Sequence, residues 1–222
     1  MKRLPIIILI MLAAATLLIA ILRNPPIQSG NSNNQLQNST NLGANLDKTN
    51  SSTEQKIDFQ SPLDNPQTRI TKKPFGIYIT PKNSPVQPER FAGYHTGVDF
   101  ELLPDELDKE ATVTAFCNGP IIQKGWANGY GGYVIQQCSI NKETVTALYG
   151  HLNVSTVPAQ GVILAAGAKI GVLGKGFSSE TDQERKHLHF ALHKGGAVEL
   201  KGYVANQSAL EAWINPVNYF NN

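Results

Sequence analysis

An all-β domain of antiparallel sheet or sandwich type is the fold that this sequence predicts, and three observations carry that prediction. Runs of four to six β-branched and aromatic residues recur between Phe75 and Leu192. The chain holds 19 glycines and 13 prolines, and many of them fall between those runs as turn signals. Helical signals are confined to the two ends, as an apolar N-terminal segment and one short C-terminal helix.

Taken from the start, Leu4 to Leu22 is apolar apart from Pro5 and Thr16, and Lys2 and Arg3 precede it. A run of that length can cross a bilayer as a helix, and basic residues at its start favour a cytoplasmic N-terminus. A cleaved signal peptide would need small residues at the end of the run. Here Ala13-Ala14-Ala15 lies in the middle and Ile21-Leu22-Arg23 closes it. Residues 1–23 are therefore expected to be an uncleaved signal anchor, a single-pass transmembrane helix, with secretion after cleavage as the alternative. Both place the rest of the chain outside the cytoplasm.

Residues 24–60 are rich in Asn, Ser, Gln and Thr. Such a segment cannot bury enough apolar surface to offset its ordering entropy, so it reads as a flexible polar linker. The folded domain is expected over 61–222. Strands are expected at Phe75–Thr80, Val98–Leu102, Thr112–Cys117, Tyr133–Gln137, Thr144–Tyr149, Val162–Ala165, Ile170–Leu173 and Leu188–Leu192. Ser208 and Glu211 stand at capping-box spacing before Ala212-Trp213-Ile214, which predicts a helix stopped by Asn215-Pro216.

The formal charge is +2. Lys2, Arg3 and Arg23 supply three positive charges in a segment without acids, which leaves −1 for everything after it. A near-neutral body lacks the electrostatic footprint of a nucleic-acid-binding protein, and that class is set aside. Cys117 and Cys138 are the only cysteines, each at or beside the end of an expected strand. Outside the cytoplasm such a pair predicts a disulfide, with two buried thiols as the alternative.

Four of the five histidines carry the chemistry. His187-Leu188-His189 in an apolar run places two imidazoles on one face of a strand. Neutral imidazole is a common zinc ligand, although for such a pair taken alone a solvated strand face is the simpler account. His95-Thr96-Gly97-Val98-Asp99 adds an imidazole and a carboxylate where a turn runs into a strand. A catalytic zinc takes three protein ligands and keeps one position open. His95, Asp99 and one histidine of the pair fill that count and leave one histidine over. His151 follows a strand in Tyr149-Gly150-His151-Leu152. His193 is expected to be solvated and without a role. No His-Glu-x-x-His motif is present, which excludes a helix-borne zinc site of that kind.

In this order, the His-x-x-x-Asp, Tyr-x-His-Leu and His-x-His-Phe units resemble those of the lysostaphin-type, or LytM-like (β-lytic), zinc metallopeptidases. Gly129-Tyr130-Gly131-Gly132-Tyr133-Val134 is similar to that family's glycine-tyrosine-glycine turn into a strand. The resemblance spans the core at residues 91–192 and implies a fold like the duplicated hybrid motif. It implies that His95, Asp99 and His189 bind Zn2+ and that His187 and His151 form the catalytic pair. Which of those two is general base and which oxyanion donor stays open. The implied activity is that of a zinc metalloendopeptidase cutting cross-links or stem peptides of peptidoglycan. A non-catalytic wall-binding or hydrolase-regulating domain, and a D-amino-acid carboxypeptidase, are the alternatives. Two departures bear on substrate preference. Ala191 stands where the family often has glutamate, and Phe177 to Lys186 is longer and more charged than the family's usual turn.

Overall fold

The computed structural model describes residues 59–220. In chain order its strands are β1 (Tyr78–Ile79), β2 (Gly93–His95), β3 (Gly97–Glu101), β4 (Thr112–Thr114), β5 (Gly119–Ala127) and β6 (Gly131–Ile140). They continue with β7 (Glu143–Gly150), β8 (Ile163–Leu164), β9 (Lys169–Val172), β10 (His187–Lys194), β11 (Tyr203–Val204) and β12 (Trp213–Ile214). Two four-residue helices, α1 (Pro66–Arg69) and α2 (Gln207–Leu210), sit near the ends. Every ladder among the described residues is antiparallel.

The main sheet runs β12-β10-β7-β6-β5-β8, and β3 joins it along the same edge of β10 as β12, opposite β7. Strand β10 is thus paired on both sides. His189 lies opposite Asp99 of β3 and opposite Gly150 of β7, and Phe190 lies opposite Val98 and Tyr149. Side chains alternate across a strand, so these two rows face opposite ways. The Phe190 row joins the main apolar core, where Val98, Phe190, Tyr149 and Val134 pack with Phe116, Val113 of β4 and Ile170 of β9. The His189 row faces the cleft. The small β1-β2-β11 sheet forms one side of that cleft and brings Tyr203 opposite His95.

Cys117 and Cys138 are joined, with Cα atoms 5.8 Å apart, and there are no free cysteines. The bond ties the segment before β5 to β6. Phe59 pairs with Cys117, so the domain is already engaged at the first described residue. The anchor expected over 1–23 and nearly all of the linker expected over 24–60 lie outside the described residues. No helix among the described residues is long and apolar enough to cross a membrane.

Each expected strand overlaps an observed one, though several are shorter. Strand β5 was missed, because Gly119, Pro120 and Gly125 read as breaks; it nevertheless pairs with β6 over most of its length through a bulge near Ile121 and Gln123. The helix expected over Ala212-Trp213-Ile214 is corrected. Asn206 caps the preceding turn through its side chain, accepting from the Ala209 amide at 2.9 Å. The Ser208 hydroxyl bonds Asn206 rather than forming the expected capping box. The helix therefore ends at Leu210, and Trp213-Ile214 becomes edge strand β12 against Leu192 and His193. His193 is corrected with it. It is half-buried, edge-on to Trp213 at 4.8 Å between ring centroids.

Candidate metal centre

Asp99 sits at the middle of the polar face of β3 and is 2 % exposed. Its Oδ1 is 3.2 Å from His189 Nδ1 and 3.3 Å from His95 Nε2, and those two nitrogens are 3.0 Å apart. The three atoms form a nearly equilateral triangle. Zinc bonds of about 2.0–2.1 Å at the tetrahedral angle hold ligand atoms about 3.3 Å apart, so the triangle has the size of one face of a zinc tetrahedron.

The outer partners point the same way. His95 Nδ1 faces the Pro74 carbonyl at 3.3 Å, which places its proton outward and turns the Nε2 lone pair to the centre. His189 turns Nε2 to the Tyr130 hydroxyl at 3.4 Å and Nδ1 inward. Two imidazole lone pairs and a carboxylate oxygen then converge in a buried space, an arrangement that a cation stabilises. The residues present fit zinc.

Electrostatics agree with that donor set. In the metal-free chain burial alone would raise the Asp99 carboxyl, but positive charge on the surrounding His187, His95 and His189 imidazoles holds it well below the ordinary carboxylate range. Burial lowers His189 to about 4, so its imidazole is neutral near pH 7. Burial, followed by the charge of His187, pushes His151 well below the ordinary histidine value.

His187 and His151 stand beside the triangle. Their rings are 4.2 Å apart between centroids. His187 Nδ1 donates to the Arg185 carbonyl at 2.9 Å, and its Nε2 lies 3.3 Å from Asp99 Oδ2. His151 adopts a left-handed backbone, φ 63°, as the chain leaves β7, and its buried Nδ1 has no protein hydrogen-bond partner. Asp99, His151, His187 and His189 line one cleft of about 260 Å³ with Tyr130 and Tyr203. All five residues expected at the site are therefore brought together, and His193 lies apart from them on the far end of β10.

Sequence reasoning missed the aromatic and cationic walls. Tyr130 stood only as part of a turn motif, yet its ring packs edge-on to His189, 5.2 Å between centroids. It fits because Gly150 has no side chain, since a Cβ there would come within 2.4 Å of the Tyr130 ring. Tyr203 stacks on His95 at 5.1 Å and bonds Lys73, whose ammonium pairs with Glu89 at 2.6 Å. Arg185, two residues before His187, reaches Asp99 Oδ2 at 3.0 Å. Its only sequence signal was a positive charge entering the His-x-His strand.

Residues 93–200 match the family model described as Peptidase family M23, a span that holds His95, Asp99, His151, His187 and His189. The fold and the site thus define a peptidase-family domain. Over that span the chain matches family M23, in agreement with the resemblance of its histidine motifs to the LytM-like peptidases. The structure is similar to that of LytU, at 22 % identity over 68 % of this chain and 83 % of the other, with a TM-score of 0.46. It is similar to CbpA from L. salivarius REN, at 19 % identity over 72 % and 93 %, with a TM-score of 0.44. A chain of the SpoIIIAH and SpoIIQ complex is similar at 18 % identity over 73 % and 100 %, with a TM-score of 0.47. No curated protein matches the chain.

Proposed function

We propose that the protein is a zinc metalloendopeptidase that hydrolyses peptide bonds of peptidoglycan outside the cytoplasm, held at the membrane by its N-terminal segment. The observation that carries this reading is the triangle of His95 Nε2, Asp99 Oδ1 and His189 Nδ1, with sides of 3.0–3.3 Å, on the wall of a cleft shared with two further histidines. The match to a peptidase family supports the hydrolytic reading, and the disulfide fits an oxidising compartment.

His95, Asp99 and His189 would hold the ion. When bound, zinc supplies Lewis-acid chemistry, lowering the pKa of a water and polarising a carbonyl. The remaining work falls to the chain. The Arg185 carbonyl favours a His187 tautomer with its proton on Nδ1, which frees Nε2 to take a proton from the attacking water. Asp99 Oδ2, 3.3 Å away, is placed to stabilise the imidazolium that results. His151, kept neutral by burial, can donate a hydrogen bond to the oxygen that becomes negative as the peptide carbonyl is attacked. The proton on His187 is then available to the leaving amine.

The test is hydrolysis of purified peptidoglycan by the full chain, before and after removal of metal by a chelator and again after zinc is restored. New amino groups released only in the zinc-loaded samples are expected. A zinc-loaded protein that releases none would favour the regulatory reading.

A further inference from the structure

Arg185 stands outside the roles assigned so far, and it touches both halves of the centre. Its Nη2 lies 3.0 Å from Asp99 Oδ2. The same guanidinium grips Glu101, with Nε at 3.0 Å from Oε2 and Nη2 in close contact with Oε1. Its backbone carbonyl receives the Nδ1 proton of His187 at 2.9 Å. The side chain is largely buried, 13 % exposed, and Glu101 is as buried as Arg185. Lys72 touches Glu101 from the outer side at 3.3 Å and is half exposed.

We infer that Arg185 is a positioning residue that holds Asp99 to one-oxygen ligation. This rests on the zinc reading above. A free carboxylate beside a cation can present both oxygens to it. Here Oδ1 belongs to the His95–His189 triangle, while Oδ2 is taken by a planar, permanently charged fork that Glu101 locks in place. His187 Nε2 approaches Oδ2 as well, but it is the atom that takes up the proton and must stay free for that transfer. The consequence is a site of three protein donors and one water, whereas a two-oxygen Asp99 would add a fifth donor and crowd the position that substrate takes. The carbonyl contact adds a second effect, since the residue that fixes the ligand also fixes the proton position on His187. An arginine here sets geometry through Asp99 and His187 and need not touch substrate.

Cobalt(II) in place of zinc reports this without any assay of turnover, because its visible bands weaken as coordination rises. The variants are Arg185→Met combined with Glu101→Gln, which removes the fork without stranding a buried carboxylate, and Arg185→Lys, which keeps charge and stem. Lys72→Met is the control, since it removes a charge from Glu101 but no bond from Asp99. In the full chain loaded with cobalt, the double variant should lose visible absorption as the site goes from four to five ligands. Arg185→Lys should move the same way by less, and Lys72→Met should match the unsubstituted protein. An unchanged spectrum in both Arg185 variants, or an equal change in Lys72→Met, overturns the inference and leaves the zinc reading standing. Lower thermal stability with an unchanged spectrum would show a structural role only and overturns it too. Failure of the unsubstituted chain to bind cobalt or zinc overturns both.

Discussion

Asp99 and His189 are direct partners in the β3–β10 ladder, and Oδ1 of one lies 3.2 Å from Nδ1 of the other. That register, fixed by five consecutive pairs, is what places a carboxylate from residue 99 beside an imidazole from residue 189. A one-residue slip would turn His189 into the apolar core and Phe190 into the cleft.

The ligand set is expected to lack redundancy. His95→Ala, Asp99→Ala and His189→Ala should each weaken zinc binding on the order of a hundredfold or more, beyond the loss typical of an outer-shell partner. Competition with a chelating dye measures it. Near-native affinity in all three variants would show that the triangle is not the metal site.

Stability of the metal-free chain should fall as the solution is acidified through a defined window. An exposed imidazole in the unfolded chain titrates near ~6.5. His189 in the folded protein titrates at about 4, and His151 is also held well below its ordinary value. Between those limits the unfolded chain binds protons that the folded chain refuses, so stability is lost as pH falls from ~6.5 towards 4, by about 3 kcal/mol for His189 alone. Asp99 is shifted in the same direction, but its stabilisation is present above ~3.9 and is lost only as pH falls below that, so it is ionised in both states across most of this window. Denaturant midpoints measured from pH 7 to 4 should show the slope; a flat profile would contradict it.

Tyr149 belongs to the fold rather than to the chemistry, although it sits two residues from His151. Its buried hydroxyl donates to Gln136 Oε1 at 2.7 Å and accepts from the Phe116 amide at 2.8 Å. Tyr149→Phe would leave both partners unpaired and should cost about 1–3 kcal/mol of stability while zinc content stays at one ion per chain. Parallel unfolding and metal analysis separate the two effects.

How far the sequence reveals this protein depends on the range of each interaction. Strand-forming runs and the His-x-His face are local patterns, and they are legible because period-two alternation is written into neighbouring residues. The ordered histidine motifs carry the ligand set through resemblance. Strand β5 was hidden because a long ladder with β6 overrides local glycine and proline signals. Trp213 joins a strand because β10 offers it an edge, and nothing within its own neighbourhood says so. Tyr130, Tyr203 and Arg185 reach the site from separate segments, and contacts such as Arg185 with Asp99, 86 residues apart, have no local signature.

The division between ligands and acid-base groups is the central claim, and one pair of measurements on the same preparations tests it. Zinc content and turnover on purified peptidoglycan are to be determined for the full chain and for His187→Ala and His151→Ala. Both variants should keep about one zinc per chain and lose on the order of a hundredfold or more in turnover, the scale of a positioned base or an oxyanion donor. Loss of zinc in His187→Ala, with retention in His189→Ala, would contradict the account by reversing the two histidines of the β10 pair.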